Sequence, residues 1–528
     1  VTPMKVLISD TLAESAKRVL EAREIPYDDR PGLPADELTQ CLGQYDGILV
    51  RSATKLTRDV LEHSGALRVI GRAGVGVDNV DVEAATERGI LVMNTPEGNT
   101  VSTAEHTFSL LLALSRNIPQ AVASVRGGKW DKGTFAGVEV RGKTLGIVGV
   151  GRIGKQVARF AQGFQMKVIG FDPFITREKA TELAIELVEL DELFRRSDYI
   201  TVHTPLTNET RHIINAAAIE KMKPGVRIIN CARGGIVDEA ALVAALESGR
   251  IAGAALDVFS TEPPEANQLL ELGNVIATPH LGASTAEAQE QVAVDVAEQM
   301  ADYLLDGRIT NAVNVPLVDE RVLRKLRPYV VLAERLGSLV AQMVKGRVEV
   351  IEVEACGRIG EYDAGPVSVA ALKGFLGTIL EGGVNEINAP IKAKERGIRI
   401  AESTGGDSEE FMSLVRVKAG TAEESVSVAG TVFGTSQARI VRINGYHVDA
   451  HPEGCLVVIV NKDVPGAIGK IGTTLGNHRV NIADMTLGRK KQGGDAMVVL
   501  NIDGEVPAEA INELRATNEI VDVTICML

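Results

Sequence analysis

The run TLGIVGVGRIG at residues 144–154 constrains this chain more than any other segment. A short apolar strand leads directly into Gly149-Val150-Gly151-Arg152-Ile153-Gly154, the pattern then becomes helical, and a second apolar strand, KVIGF, ends at Asp172. This is a parallel strand–helix–strand unit whose glycines let a pyrophosphate approach the helix N-terminus. An acidic residue about twenty positions on suits a ribose 2′-hydroxyl and repels a 2′-phosphate, so the cofactor expected is NAD rather than NADP. Tight helix–strand packing without a ligand is the alternative reading of the glycines alone.

The same texture extends both ways. MKVLIS, DGILV, LRVIGR and ILVMN read as strands, each followed by a helical pattern, and a helix follows over 103–115. TLGIVGV, KVIGF, YITVH, VRIIN, IAGAALD and NVIATPH form a second series, buried-type runs bounded by Gly, Asp, Asn or Pro. The fold class expected is α/β, with a doubly wound parallel sheet. A helix over 284–305 crosses back, and another spans 321–344. After residue 314 the glycine-rich texture gives way to alternating runs such as RVEVIEVEA, EEFMSLVRVKA and ESVSVAGTVFG, an α+β region. The last segment reads βαββαβ, a ferredoxin-like order, with Ile468, Ile471 and Leu475 on one helix face.

A chain of 528 residues is too long for one core. Its net charge of −14 argues against nucleic acid, which needs a basic footprint. Five cysteines without a CxxC pair make neither a disulfide framework nor a zinc site, and fit a cytoplasmic location. No signal peptide, membrane span or metal site is expected. Residues 137–144 satisfy a P-loop pattern, but Thr144 opens a strand where a P-loop must open a helix.

Three candidate groups sit at strand ends: Arg233 after VRIIN, Glu262 after IAGAALD, and His280 after NVIATP. The carboxyl ends of parallel strands face the ligand crevice, so the three share one rim. A guanidinium fork suits a carboxylate, and a histidine held by a carboxylate suits acid–base work near neutrality. Gly74-Val75-Gly76, in a loop after a strand, is either a tight turn or a set of N–H donors for a substrate carboxylate. His106 reads as a packed core or interface residue, His203 as a crevice residue that is not the acid, and His63, His212 and His478 as surface.

GVGRIG with Asp172, NCARGGIVDEAAL, LDVFSTEPP and TPHLGAST, in this order, resemble the D-isomer-specific 2-hydroxyacid dehydrogenase family. RSATKLT and RAGVGVDNVD resemble its branch acting on D-3-phosphoglycerate, in the long form with an intervening allosteric substrate-binding domain and a terminal ACT domain. The resemblance implies NAD-dependent oxidation of D-3-phosphoglycerate to 3-phosphohydroxypyruvate, the opening step of L-serine synthesis. It implies an NAD-binding Rossmann domain (99–282) inserted in a flavodoxin-like substrate domain (1–98 and 283–315). An intervening domain (316–452) and an ACT domain (453–528) complete the chain. By motif, Arg233 binds substrate, Glu262 orients His280, and His280 is the acid–base. Gly149, Gly151, Arg152, Ile153, Gly154 and Asp172 hold the adenosine and pyrophosphate; Thr204, Cys231, Asp257 and Gly282 line the nicotinamide side. Arg51, Ser52, Gly74, Val75 and Gly76 meet the substrate, with Lys132 supplied by a neighbouring subunit. Asn461, Asp463 and Asn481 form an L-serine effector site, although Asn461 stands where the family often has His or Tyr. A homo-oligomer, dimer or tetramer, is implied. The alternatives are a hydroxypyruvate or glyoxylate reductase, and a non-enzymatic NAD-sensing corepressor. Replacing Asp172 by Ala is expected to weaken NADH binding and narrow its margin over NADPH, as read by fluorescence titration with both cofactors; equal use of both by the unaltered protein would contradict the reading.

Overall fold

The computed structural model describes residues 4–316, 318–380, 383–405, 408 and 410–528; the first three residues of the expected substrate domain lie outside them. Strands β1 (Val6–Ile8), β2 (Tyr27–Asp29), β3 (Gly47–Val50), β4 (Val69–Arg72) and β5 (Leu91–Asn94) form a parallel sheet in the order β2-β1-β3-β4-β5. This is the flavodoxin-like order. The edge strand β2, Tyr-Asp-Asp, carries no apolar run and escapes the sequence pattern.

The second sheet holds β6 (Thr144–Val148), β7 (Lys167–Phe171), β8 (Glu186–Leu187), β9 (Tyr199–Val202), β10 (Val226–Asn230), β11 (Ile251–Leu256) and β12 (Val275–Ala277). Its order, β12-β11-β10-β9-β6-β7-β8, is parallel throughout and reverses between β6 and β9, where a doubly wound sheet opens its ligand crevice. All six expected strands are present; the two-residue edge strand β8 is additional.

The chain passes between the sheets twice. It leaves β5 for the helix Thr100–Ser115 and returns through the helix Ala286–Asp306, which buries Val292, Val296, Met300 and Tyr303. Gly71 makes room for the return helix, since a Cβ there would lie 2.8 Å from Val296 Cγ2.

In the third unit β13 (Val350–Gly357), β14 (Arg399–Thr404), β15 (Ser413–Gly420), β16 (Ser425–Phe433), β17 (Gln437–Ile443) and β18 (Tyr446–Ala450) run in the order β14-β13-β15-β16-β17-β18. Only the β13–β14 pair is parallel. The helices Glu320–Met343 and Gly365–Ile379 share its core with the sheet. A plug ties this unit to the first sheet: Asn385 Nδ2 donates to the Gly89 carbonyl at 2.7 Å, and Ile387, 3% exposed, enters the core beneath β1 and β4.

The last unit places β19 (Cys455–Lys462), β20 (Asn481–Arg489), β21 (Asp495–Asp503) and β22 (Ile520–Met527) in the antiparallel order β20-β21-β19-β22, with the helices Ala467–Asn477 and Ala508–Arg515. This is the expected βαββαβ unit, and Ile471 and Leu475 are fully buried. The β20 edge is not wholly free: Thr486 Oγ1 donates to the Asp449 carbonyl at 2.5 Å, so β18 lies against it. At the far end Gln342 of the long helix exchanges two hydrogen bonds with the Met527 backbone, at 2.8 and 2.9 Å. Among the described residues, no helix is long and apolar enough to cross a membrane.

The helices Glu320–Met343 and Gly365–Ile379 approach so closely that a Cβ on Gly337 would sit 2.0 Å from the Ala371 carbonyl oxygen. Gly337→Val is therefore expected to cost about 1–3 kcal/mol through overpacking, measured as an earlier denaturant midpoint of the intervening unit.

Candidate active site

The two parallel sheets leave a cleft of about 480 Å³ at their carboxyl ends. On the NAD-type side, Gly149 has φ +93°, and a Cβ on it would come within 2.6 Å of the His203 carbonyl. Gly151 caps the helix Arg152–Gly163 and faces open space, while a Cβ on Gly154 would lie 2.2 Å from the Gly149 carbonyl. The strand end, the turn and the helix N-terminus thus pack backbone to backbone and leave room for a pyrophosphate. Asp172 accepts from the Val150 and Phe174 N–H groups, both at 2.8 Å, which fixes its carboxylate at the end of β7. Arg152 and Ile153 line the cleft, and Arg152 lies 3.6 Å from Glu97. Thr204 Oγ1 and His203 Nδ1 are buried beside it without a hydrogen-bond partner, polar atoms left for a ligand. These residues fit a dinucleotide.

Burial pushes the His203 imidazole down to about 3, so this ring is neutral and no acid near neutral pH. Burial pushes the Cys231 thiol up to about 12, which keeps it an uncharged part of the lining.

His280 Nδ1 stands 2.8 Å from Glu262 Oε2, and Glu262 Oε1 accepts the Phe259 N–H at 3.1 Å. His280 itself adopts φ +56°. With Nδ1 engaged, Nε2 is the nitrogen left for a substrate, and the ring lines the cleft. Arg233 lines the same cleft and donates through Nε to Asp78 Oδ2 at 2.9 Å. That bond runs from β10's end on one wall to the loop after β4 on the other. Asn230, buried at the end of β10, shapes the arginine's turn by accepting the Ala232 N–H and donating to the Arg233 carbonyl. The three rim groups expected from sequence thus converge.

Asp257, expected beside the nicotinamide, is wholly buried and accepts from Thr278 Oγ1 (2.6 Å), the Leu281 N–H (2.7 Å) and the Gly282 N–H (2.8 Å). His106 Nε2 lies 3.2 Å from both Thr278 Oγ1 and Asp257 Oδ1, so this histidine, packed as expected and not lining the cleft, is hydrogen-bonded behind the turn that carries His280. His106, Cys231 and Asp257 bring their ligand atoms within 4.8 Å where no metal cluster was expected. Because donors already occupy the carboxylate, the trio reads as a hydrogen-bonded cluster.

On the opposite wall Val75 and Gly76 line the cleft, but the Gly74 N–H donates to Thr95 Oγ1 at 2.7 Å and is not available to a substrate. Arg51 is held by its own N–H on Asp10 Oδ2 (2.6 Å) and by Nη1 on the Thr11 carbonyl (3.3 Å), beside an exposed Ser52. Arg72, half-buried behind this wall and not lining the cleft, has a guanidinium pulled down to about 10 by burial and by nearby Arg233, with Nε lacking a partner. It ends β4 as Arg233 follows β10. Lys132 is exposed on the loop after the helix Ile118–Arg126 and does not line the cleft of its own chain.

The effector candidates do not meet within one chain. Asn461 pairs with Ala496 and Asn481 with Asp503, seven residues along β21, or about 24 Å. Asn461 is buried with Oδ1 unpartnered, Asp463 accepts from the Gly493 N–H and Arg489, and Asn481 Nδ2 donates to Asp503 at 2.7 Å. His63 and His212 are exposed as expected; His478 is half-buried, 2.9 Å from Glu513.

The first two units and the cleft between them describe a dehydrogenase of the 2-hydroxyacid type. The profile for the D-isomer specific 2-hydroxyacid dehydrogenase, NAD binding domain, matches residues 108–282. Profiles for the D-3-phosphoglycerate dehydrogenase intervening domain and the ACT domain match 325–444 and 456–519. A D-3-phosphoglycerate dehydrogenase of Methanocaldococcus jannaschii is 45% identical over 99% of this chain and 100% of its own length. One of Synechocystis is 45% identical over 99% of this chain and 94% of its own. A solved glyoxylate reductase from Paecilomyes thermophila, 31% identical with a TM-score of 0.56, covers 59% of this chain and 99% of its own. The chain therefore belongs to the D-3-phosphoglycerate dehydrogenase family, and its cofactor is NAD.

The depressed His203 ring carries a stability consequence. Its unfolded form protonates near 6.5 and its folded form near 3, so acid favours unfolding across that window. His203→Asn is expected to remove a slope of about 1.4 kcal/mol per pH unit below pH 6.5, seen by comparing denaturation midpoints of the two proteins at pH 7.5 and 5.

Proposed function

We propose that this protein oxidises D-3-phosphoglycerate to 3-phosphohydroxypyruvate with NAD, the step that opens L-serine synthesis. The observation that carries the reading is the His280–Glu262 pair at 2.8 Å, sharing one cleft with Arg233 and the glycine-rich helix N-terminus. The full-length likeness to proteins named for this activity supports it. The arginines give the substrate its charge complement: Arg233 for the carboxylate and the oxygen on C2, Arg51 for the phosphate, with Arg72 adding positive charge to the same wall. The Val75–Gly76 backbone lies beside them, and Lys132 of a neighbouring subunit completes the set.

Gly149, Gly151, Arg152, Ile153, Gly154 and Asp172 would hold NAD, with Thr204, Cys231, Asp257 and Gly282 on the nicotinamide side, and the bound cofactor would supply the hydride acceptor. His280 Nε2 takes the proton of the C2 hydroxyl, and Glu262 stabilises the imidazolium through Nδ1. Arg233 polarises the oxygen as the carbonyl forms, and the same groups return the proton in reverse.

The domains run 1–98 with 283–315 (substrate), 99–282 (NAD), 316–452 (intervening) and 453–528 (ACT), in a cytoplasmic homo-oligomer. Exposed Ile118, Val122, Val125 and Trp130, with no buried residue on the helix Ile118–Arg126, support an interface between copies. L-Serine is the effector. Its site would join Asn461 and Asp463 of one copy to Asn481 of another, a reading supported by the about 24 Å of strand that separates them within a chain.

NADH formation is expected with D-3-phosphoglycerate and far less with D-glycerate; equal rates would remove the phosphate from the reading. His280→Ala is expected to lower kcat by about 10²–10⁴-fold with NADH affinity near the unaltered value, by stopped-flow and fluorescence. Calorimetry should show L-serine binding that Asn481→Ala weakens without changing kcat; no heat at millimolar serine would end the effector assignment.

A further inference from the structure

Asp257 is a carboxylate with no exposure to water, and such a group is stable only when donors surround it. Burial pushes its carboxyl up, but hydrogen bonds from His106, Thr278 and the Leu281 N–H outweigh burial and hold it below its ordinary value. Two of its bonds go to the N–H groups of Leu281 and Gly282, the residues directly after His280. His280 has φ +56°, a backbone region costly for a residue with a Cβ, so something must hold it there. Glu262 fixes the ring at Nδ1, and Asp257 fixes the backbone that follows.

His106 is the ionisable side chain that touches this anchor. Thr278 spends its hydroxyl proton on Asp257 at 2.6 Å, so its oxygen can only accept from His106, which puts a hydrogen on Nε2. That N–H points at the Thr278–Asp257 pair from the helix Thr100–Ser115. The same helix clamps the loop again where Thr103 Oγ1 donates to the Gly282 carbonyl at 3.1 Å. The titratable groups facing His106 are Asp257 from the end of β11 and Cys231 after β10, within 4.8 Å.

We propose that His106 is a positioning residue for His280, acting through the Asp257 carboxylate and the 281–282 backbone rather than on substrate. The proposal rests on the assignment of His280 as the acid–base. It separates the helix Thr100–Ser115 from a purely structural role: the helix sets the geometry of the proton-transfer group.

The test uses the full chain with His106→Leu, which removes the donor, His106→Gln, which keeps an N–H of similar reach, and Thr278→Val, which removes the shared hydroxyl. Three readouts apply: kcat against pH, KM for D-3-phosphoglycerate, and the pH titration of the His280 ring followed by ¹³Cε1-histidine NMR. His106→Leu is expected to lower kcat about tenfold, the scale of one lost charge-assisted hydrogen bond, with KM changed less than kcat. The kcat profile and the His280 titration curve are displaced, Thr278→Val moves both the same way, and His106→Gln restores most of the loss. Wild-type kcat, profile and His280 titration in folded His106→Leu would overturn the proposal. So would a His106→Gln variant as impaired as His106→Leu with His280 unmoved, because that marks general packing damage. Should His106→Leu fail to fold, Thr278→Val decides on the same readouts. An unaltered protein inactive on D-3-phosphoglycerate would instead sink the substrate assignment, and the His280 titration would still decide the positioning role.

Discussion

The chemistry of this molecule hangs on one buried anion. Asp257 directly follows β11 at the carboxyl edge of a parallel sheet, where every strand delivers its last residues to the same side. A carboxylate there, removed from water, must be met by donors, and the chain meets it with the turn that follows β12. The turn folds onto Asp257, and His280 is carried into the cleft as a consequence. The reactive ring owes its place to a charge that need not touch substrate to set the geometry.

The cleft divides its work between two walls. The NAD-type sheet brings Arg233, His280 and the glycine-rich helix start; the first sheet brings the loop after β4, with Asp78, and half-buried Arg72 lies behind it. Arg233 reaches across to Asp78, so its positive charge is partly spent while the cleft stands open to water. A carboxylate entering the cleft at Arg233 would compete with Asp78 for the same fork. The arginine would then exchange one anion for another without facing solvent alone, which would lower the cost of desolvating it. Arg72 has less company, and its burial beside a second guanidinium favours an anionic ligand on that wall.

Much of this was legible in the chain. Buried parallel strands advertise themselves as unbroken apolar runs, so β6, β7 and β9–β12 stand out, and the trio of Arg233, Glu262 and His280 follows from strand ends alone. The strands β2 and β8 do not stand out, because edge strands of two or three residues with polar side chains carry no pattern. The helix Gly365–Ile379 is apolar on nearly every face, packed beside the helix Glu320–Met343 in one core with the sheet, and shows no helical period to read. His106 was hidden for another reason: its helix is apolar, and only the tertiary contact with Asp257 separates a packed ring from a working one. Likewise nothing in sequence order reveals that Asn461 and Asn481, twenty positions apart, fall at opposite ends of the same sheet.

The plug formed by Asn385 and Ile387 gives the molecule a directional linkage. The intervening unit seizes the back of the first sheet at Gly89, one short helix away from the loop that bears Asp78 and the 75–76 backbone. The ACT unit is in turn latched to the long helix of that intervening unit through Gln342. A displacement of the far end would therefore reach the substrate wall through these two latches, whereas the wall carrying His280 is seated on its own sheet. The arrangement is that of a vice with one jaw tied to the two terminal units and the other, which bears His280, fixed to its own sheet.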